Sequence, residues 1–244
     1  TVLSQKIAWD RFWLRQDALA SLKMSSELSS EISAVKKKYH KDKWVKIKSE
    51  FYLGKAAYLS GDKTLAKKYL HTVLIELAGT EFDHRIFSIL KKTGDKKYKV
   101  LSESGWNKRA EKLIGNGFAY KATKIYEWYA QKKSGKTKNY YLEKVAYSTF
   151  KERRYKVAAS LYEDLLSKGI HTSSKLEILL KIAQAHSRSD QFPEAIAAYE
   201  KIARSYPNTK SSATAKYKLG FISFDSMNYK KAIQYYEPFI KSTN

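Results

Sequence analysis

Five histidines, His40, His71, His84, His171 and His186, are the first residues that could hold a metal, yet none has a second histidine four positions away or an acidic companion at zinc spacing. Neither a metal nor a cofactor is expected. Gly135-Lys136-Thr137 has the ending of a phosphate-binding loop, but that loop needs a glycine five residues earlier, where Ala130 stands, and a buried strand before it. Gly115-Asn116-Gly117 would open a dinucleotide site only with a third glycine where Tyr120 stands. Both read as turns. With no cysteine in the chain, thiolate catalysis, disulfides and cysteine-based zinc sites are excluded together.

Glu103-Ser104 is the remaining catalytic candidate. The same pair marks the catalytic helix of lysozyme-like lytic transglycosylases, where the glutamate is general acid and base. No Gly-Leu-Met-Gln stretch follows here, and the segment before Trp106 reads as a polar turn with nothing to bury Glu103 and raise its pKa. No catalytic residue is expected.

Binding is left, and composition says what scaffold would do it. The chain has 244 residues, 43% of them hydrophobic, with only 3 Pro and 10 Gly, a composition that favours an all-α fold with no β-sheet. No window approaches the length of an apolar membrane span, so no transmembrane segment is expected. The chain opens at Thr1 and reads as a mature or trimmed product. Lys and Arg number 47 against 24 Asp and Glu, a net charge of +23, and a polyanionic neighbour is the natural consequence. Residues 163–244 carry 12 basic and 8 acidic side chains, which leaves +19 on residues 1–162. Only eight of the cations are Arg, so this is a field of point charges rather than of planar forks.

The positioning elements show themselves as a repeat. Tyr155, Ala158 and Tyr162 recur as Phe192, Ala195 and Tyr199 and again as Tyr229, Ala232 and Tyr236, a period of 37 residues. Twelve residues before each alanine stands another small residue, Ala146, Ala183 and Gly220, preceded by Val145, Ile182 and Leu219. Leu53, Gly54, Ala66 and Leu70 form an earlier copy, and Ala110, Ala122 and Tyr126 a weaker one with Arg109 at the aliphatic position. A small residue on each of two antiparallel helices lets their backbones approach while large residues fill the gaps, so each copy is a helical hairpin. The extra residues of the period are placed in the polar connection 208–214.

Around the repeats, Ala8, Leu14, Ala18, Leu22, Leu28, Ile32 and Val35 mark a long N-terminal helix. Residues 83–90 read as a short helix, and 102–130 as a helix pair turned at Gly115–Gly117. The tracts 36–43, 94–97 and 132–138 read as exposed turns. The expected organisation is an irregular, strongly basic region, 1–138, containing one hairpin at 47–78, and three consecutive repeats at 139–244, continuous with it and truncated at the C-terminal end.

These residues, with Pro207 at a helix exit, resemble the tetratricopeptide repeat. The resemblance implies an α-solenoid, a right-handed superhelix of hairpins, and makes His186 a packed imidazole at a position often aromatic in the family. It also implies a concave ligand groove at fixed distances from the mid-helix small residue: Phe51, Lys55 and Tyr58, with Leu59, from Gly54; Tyr147, Phe150 and Lys151, with Glu143, from Ala146; Gln184 and Arg188, with Leu180 and Ser187, from Ala183; Tyr217, Phe221 and Phe224, with Asp225, from Gly220. First-helix aromatics can equally pack against the neighbouring hairpin, and both uses stay open.

The order of long helix, early repeat, off-consensus pair and regular repeats also resembles the superhelical region of soluble lytic transglycosylases. That likeness implies a non-catalytic, periplasmic, peptidoglycan-associated scaffold. The alternative is a scaffold for protein partners in a cell-envelope or secretion assembly. Peptidoglycan, another anionic polymer or a protein is therefore the expected partner, and nucleic acid is disfavoured because Arg is scarce and no nucleic-acid module is visible. The last second helix, with Ala232, Ile233, Tyr236, Phe239 and Ile240, is expected to leave an uncapped apolar edge.

Overall fold

The computed structural model describes residues 2–94 and 100–241, with side chains at 5–94 and 100–237. Its described residues form thirteen α-helices and no strand. They are α1 (Val2–Ser21), α2 (Ser25–Lys38), α3 (Lys43–Leu59), α4 (Lys63–Glu76), α5 (Phe82–Lys92), α6 (Glu103–Gly115), α7 (Ala119–Lys132), α8 (Gly135–Lys151), α9 (Tyr155–Ser167), α10 (Lys175–Arg188), α11 (Phe192–Ser205), α12 (Lys210–Asp225) and α13 (Tyr229–Lys241). Starts are set by short polar side chains that accept the free amides of the first turn. Asp42 accepts from Val45 N, Asp62 from Leu65 N, and Ser174 forms a reciprocal box with Glu177.

The chain divides into two compact units, Thr1–Gly117 and Phe118–Asn244. The boundary read from sequence lay at 138/139; α7 joins the second unit because it packs along α8, while α6 packs on α4 in the first. Residues 102–130 are thus divided between the units rather than kept as one pair.

In the second unit each helix packs on its neighbours in the chain, from α7 to α13. Ala146, Ala158, Ala183 and Ala195 are completely buried, Ala232 nearly so, and Tyr162 and Tyr199 are buried beside them. Tyr236 is only half-buried. The glycines show why these positions are small. A Cβ on Gly220 would lie 2.6 Å from the Tyr236 ring, and one on Gly54 would lie 2.8 Å from Leu70 Cγ. The turn after each small residue carries a register that the residue types conceal. Seven residues after the small residue, the backbone is left-handed at Gly61 (φ 89), Gly117 (φ 83), Arg153 (φ 62), Asp190 (φ 59) and Met227 (φ 59). Only two of these five are the residue that favours this conformation.

Several expectations change. The N-terminal helix is two helices, broken where Lys23 adopts φ 60. The inner face of α1 is Trp13, Gln16, Leu19 and Ala20, whereas Leu14 and Leu22, of the expected stripe, are about two thirds exposed at 68% and 71%. Stacking accounts for the shift: Trp9, Trp13 and Tyr52 lie in series, with centroids 5.7 and 5.4 Å apart, so rings rather than aliphatics choose the buried face. Glu103 opens α6 behind the N-cap Ser102 instead of lying in a turn. Lys210–Thr214 belongs to α12, so extra length goes into a helix rather than a connection. The tract 132–138 is split between α7 and α8, and residues 95–97 lie outside those described. At the C-terminal end Ile233 is 66% exposed, while the side chains of Phe239 and Ile240 lie outside those described.

Arg109, the misfit of the weak copy, has its explanation in burial. It pairs with Asp83, donates to the Leu74 carbonyl, and lies over the Phe87 and Trp106 rings at 5.0 and 5.9 Å. Burial lowers its pKa and Asp83 raises it back in part. His186 is buried as expected, with Nε2 2.8 Å from Glu163 Oε1.

Candidate interaction site

The expected groove residues meet two different fates. In the first unit, α3 carries Phe51 on its buried side, with no exposed surface, against Tyr52 at 5.1 Å and Phe82 at 4.8 Å. Phe51 is a core residue, not a groove residue. Arg85 from α5 lies over the Phe51, Phe82 and Tyr52 rings and ion-pairs with Asp17 of α1. Lys55 reaches the same carboxylate at 3.6 Å. Burial, then the adjacent Arg85, lowers the Lys55 pKa, and Asp17 opposes them. Tyr58 and Leu59 pack against the core. The cations over these rings are therefore matched from within.

In the second unit the cations are left open. Tyr147 and Phe150 lie on α8 at a three-residue spacing, with Lys151 beside them, and Tyr155 begins α9. Phe150 is buried with Ala158, Ala159 and Ala185, so Tyr147 and Tyr155 are the rings with open surface. Lys181 and Arg188 project from α10, one turn on either side of Gln184, along one helix face. Lys151 lies 5.4 Å and Lys181 5.8 Å from the Tyr147 ring centre; Arg188 lies 5.4 Å from that of Phe150 and 5.7 Å from that of Tyr155. Arg188 also donates to the Tyr155 hydroxyl at 3.3 Å. Among the described residues Lys151, Lys181 and Arg188 make no ion pair. Burial, then Lys151, pulls the Lys181 pKa below the ordinary lysine value; Glu177 pushes it back and Arg188 adds to the lowering. Burial raises the nearby Tyr199 to about 12, against the pull of Arg188 and a hydrogen bond with Ser187.

Glu177, the acid that acts on Lys181, is held by the Ser174 amide and hydroxyl in the capping box of α10, and Glu143, also expected to face this groove, is engaged elsewhere. Its carboxylate accepts from the Thr172 amide at 2.8 Å, the Ser173 amide at 3.0 Å and both hydroxyls, at the entry to α10. Burial works against its charge, yet the Ser173 and Thr172 hydrogen bonds outweigh that and hold its pKa below the usual 4.5.

Further along, Tyr217, Phe221 and Phe224 of α12 are each more than half exposed, at 51%, 51% and 59%. Lys218 lies 5.8 Å from the Tyr217 ring centre and 5.9 Å from that of Phe221. Asp225 is exposed and Leu180 packs into the core. Lys181 and Tyr155 were not among the groove residues read from sequence. Their signal was the i, i+3, i+7 run of Lys181, Gln184 and Arg188, and a ring at the start of α9 that the repeat had already claimed.

Residues 146–208 and 180–241 match the tetratricopeptide repeat family model, so this stretch carries tetratricopeptide repeats. A crystal structure of a Podosopora anserina putative kinesin light chain with nearly identical TPR-like repeats is similar at 15% identity and a TM-score of 0.47, over 79% of this chain and 92% of that one. The P58(IPK) TPR domain is similar at 19% identity and a TM-score of 0.42, over 87% of this chain and 55% of that one. No curated protein matches the chain. Residues 146–241 are tetratricopeptide-repeat hairpins, and the other described residues are α-helical as well.

Proposed function

We propose that the chain is a protein-binding scaffold whose second unit takes an acidic stretch of a partner against Tyr147 and Tyr155, above the buried Phe150. The observation that carries this is the convergence of Lys151, Lys181 and Arg188, without an ion pair, over three rings. Cation–ring attraction of about 0.5–1 kcal/mol per contact holds the head groups in place before the ligand arrives, which reduces the ordering cost of binding. Carboxylates would complete the cluster, and exposed Tyr217, Phe221 and Phe224 would take apolar side chains further along the same segment.

A glutamate-rich peptide containing aromatic residues, followed by fluorescence anisotropy, tests the reading. Binding should weaken as salt rises. Lys151→Gln with Lys181→Gln should cost at least about tenfold, because charge-assisted contacts are lost. Gln184→Glu should act in the same direction by supplying the missing acid internally. Equal peptide affinity in all three proteins would overturn the site. Peptidoglycan association as part of a lytic transglycosylase is the second reading, supported by the repeat order and the lysine excess. Sedimentation with murein sacculi separates the two: retention on sacculi without peptide binding would favour that second reading.

A further inference from the structure

We propose that the turn between α2 and α3 is a docking point for an anionic lipid surface, a site separate from the peptide groove. Between Lys36 and Lys48 the chain has seven lysines, no arginine and one acid, Asp42. That acid is already committed, since its carboxylate accepts from the Val45 amide as the cap of α3. Lys36 pairs with Glu50, and Lys43 reaches Glu76 at 3.6 Å. Lys37, Lys38, Lys41 and Lys46 are exposed, and among the described residues they make no ion pair.

The fold accounts for only some of these charges. Lys36, Lys37 and Lys38 occupy the last turn of α2, where positive charge is favourable against the helix dipole. Lys43 and Lys46 occupy the first turn of α3, and Lys41 precedes its cap, where positive charge is unfavourable. Lys43 is accounted for by Glu76, but the stability of the helix pair gives no reason for lysine at 41 and 46. An external anion does.

The rings decide which anion. Trp44 is 48% exposed and Tyr39 38% exposed, and they flank one aromatic cluster. Tyr39 meets the edge of Trp9 at 5.0 Å, Trp9 stacks on Trp13, and Lys48 bridges Trp13 and Trp44 at 5.1 and 5.2 Å. Lys48 itself is balanced by nearby Glu81, Asp10 and Asp17, while burial lowers its pKa. Half-exposed indole and phenol rings beside unpaired lysines have the composition of a headgroup-level anchor. Single-stranded nucleic acid would want a series of free ring faces, but Trp13 is stacked with both Trp9 and Tyr52. Double-stranded readout would want the arginine fork that the segment lacks.

The test is sedimentation of the full chain with vesicles of phosphatidylcholine alone and with phosphatidylglycerol mixed in. Retention is expected only with the anionic lipid and should disappear at high salt. Lys37→Gln, Lys38→Gln, Lys41→Gln and Lys46→Gln together should weaken it by about fivefold per lysine. Circular dichroism melting checks that the variant remains folded. Trp44→Phe should reduce quenching of the protein by brominated lipid. Lys151→Gln with Lys181→Gln should leave retention unchanged, which separates this site from the peptide groove. Equal retention on neutral vesicles, no loss in the fourfold variant, or tighter binding of a mixed-sequence oligonucleotide with the same lysine dependence would overturn the proposal.

Discussion

The two units place cations over aromatic rings in the same way and differ in where their acids go. In Thr1–Gly117, Arg85 and Lys55 meet Asp17, and Arg109 meets Asp83. In Phe118–Asn244, Glu177 is held by Ser174 in the capping box of α10 and Glu143 by Thr172 and Ser173, and Lys151, Lys181 and Arg188 make no ion pair among the described residues. Carboxylates drawn toward hydroxyls and amides distinguish an open cluster from a packed one. Residue composition around the rings does not decide between core and site; the destination of the acids around them does.

The largest effect should come from unmatching the first unit. Asp83→Asn leaves the Arg109 guanidinium buried without its anion, at a cost of about 3–5 kcal/mol. Four of the five tryptophans lie in Thr1–Gly117, so urea titration followed by tryptophan fluorescence reports that unit. An unchanged midpoint would show that the pair is not what closes it.

A smaller difference should separate the close helix approaches. Gly54→Ala presses a methyl group against Leu70, which is fully buried, and should cost about 1–3 kcal/mol less the roughly 1 kcal/mol of helix propensity gained. Gly220→Ala meets the half-buried Tyr236, and Ala146 and Ala183 already stand at the equivalent place against Tyr162 and Tyr199. That change forces the Tyr236 ring to shift, but the ring can move toward solvent, so the loss should be smaller than for Gly54→Ala. Thermal melts showing equal losses for both would remove the distinction between the two hairpins.

The smallest effect is a dependence on pH. The folded-state pKa of Glu143 lies below its ordinary 4.5, so its contribution is complete above that value and disappears as pH falls through the folded pKa. Wild type should lose stability relative to Glu143→Gln over that acid range. Parallel urea midpoints for the two proteins across the range would mean that the Thr172 and Ser173 contacts contribute nothing.

The periodic part of this architecture was legible in the sequence because a close helix approach demands small residues at a fixed interval, and Ala158, Ala195 and Ala232 declare it. The left-handed turns were not, since Arg153, Asp190 and Met227 give no sign of their backbone conformation. Phe51 was misplaced because the repeat spacing identifies a helix but not which neighbours cover it. The matched cluster was hidden by distance, Arg85 lying 68 positions from Asp17. Of the open site, Tyr147, Phe150, Lys151 and Arg188 followed from spacing. That Lys151 and Arg188 make no ion pair among the described residues follows from the entry to α10, where Glu177 is spent on the capping box and Glu143 on Thr172 and Ser173.

The neighbour-to-neighbour packing from α7 to α13 has a kinetic side. A structure whose contacts join helices adjacent in sequence closes short loops first and can nucleate at any hairpin, then grow by zippering. The same property runs in reverse. An opening that frays α13 removes contacts from α12 and the Tyr235–Glu200 contact with α11, so it need not travel further inward. The cluster on α8 and α10 sits two or more helices from that end and keeps its geometry through such local opening, so ligand capture there is insulated from fraying at the edge of the unit.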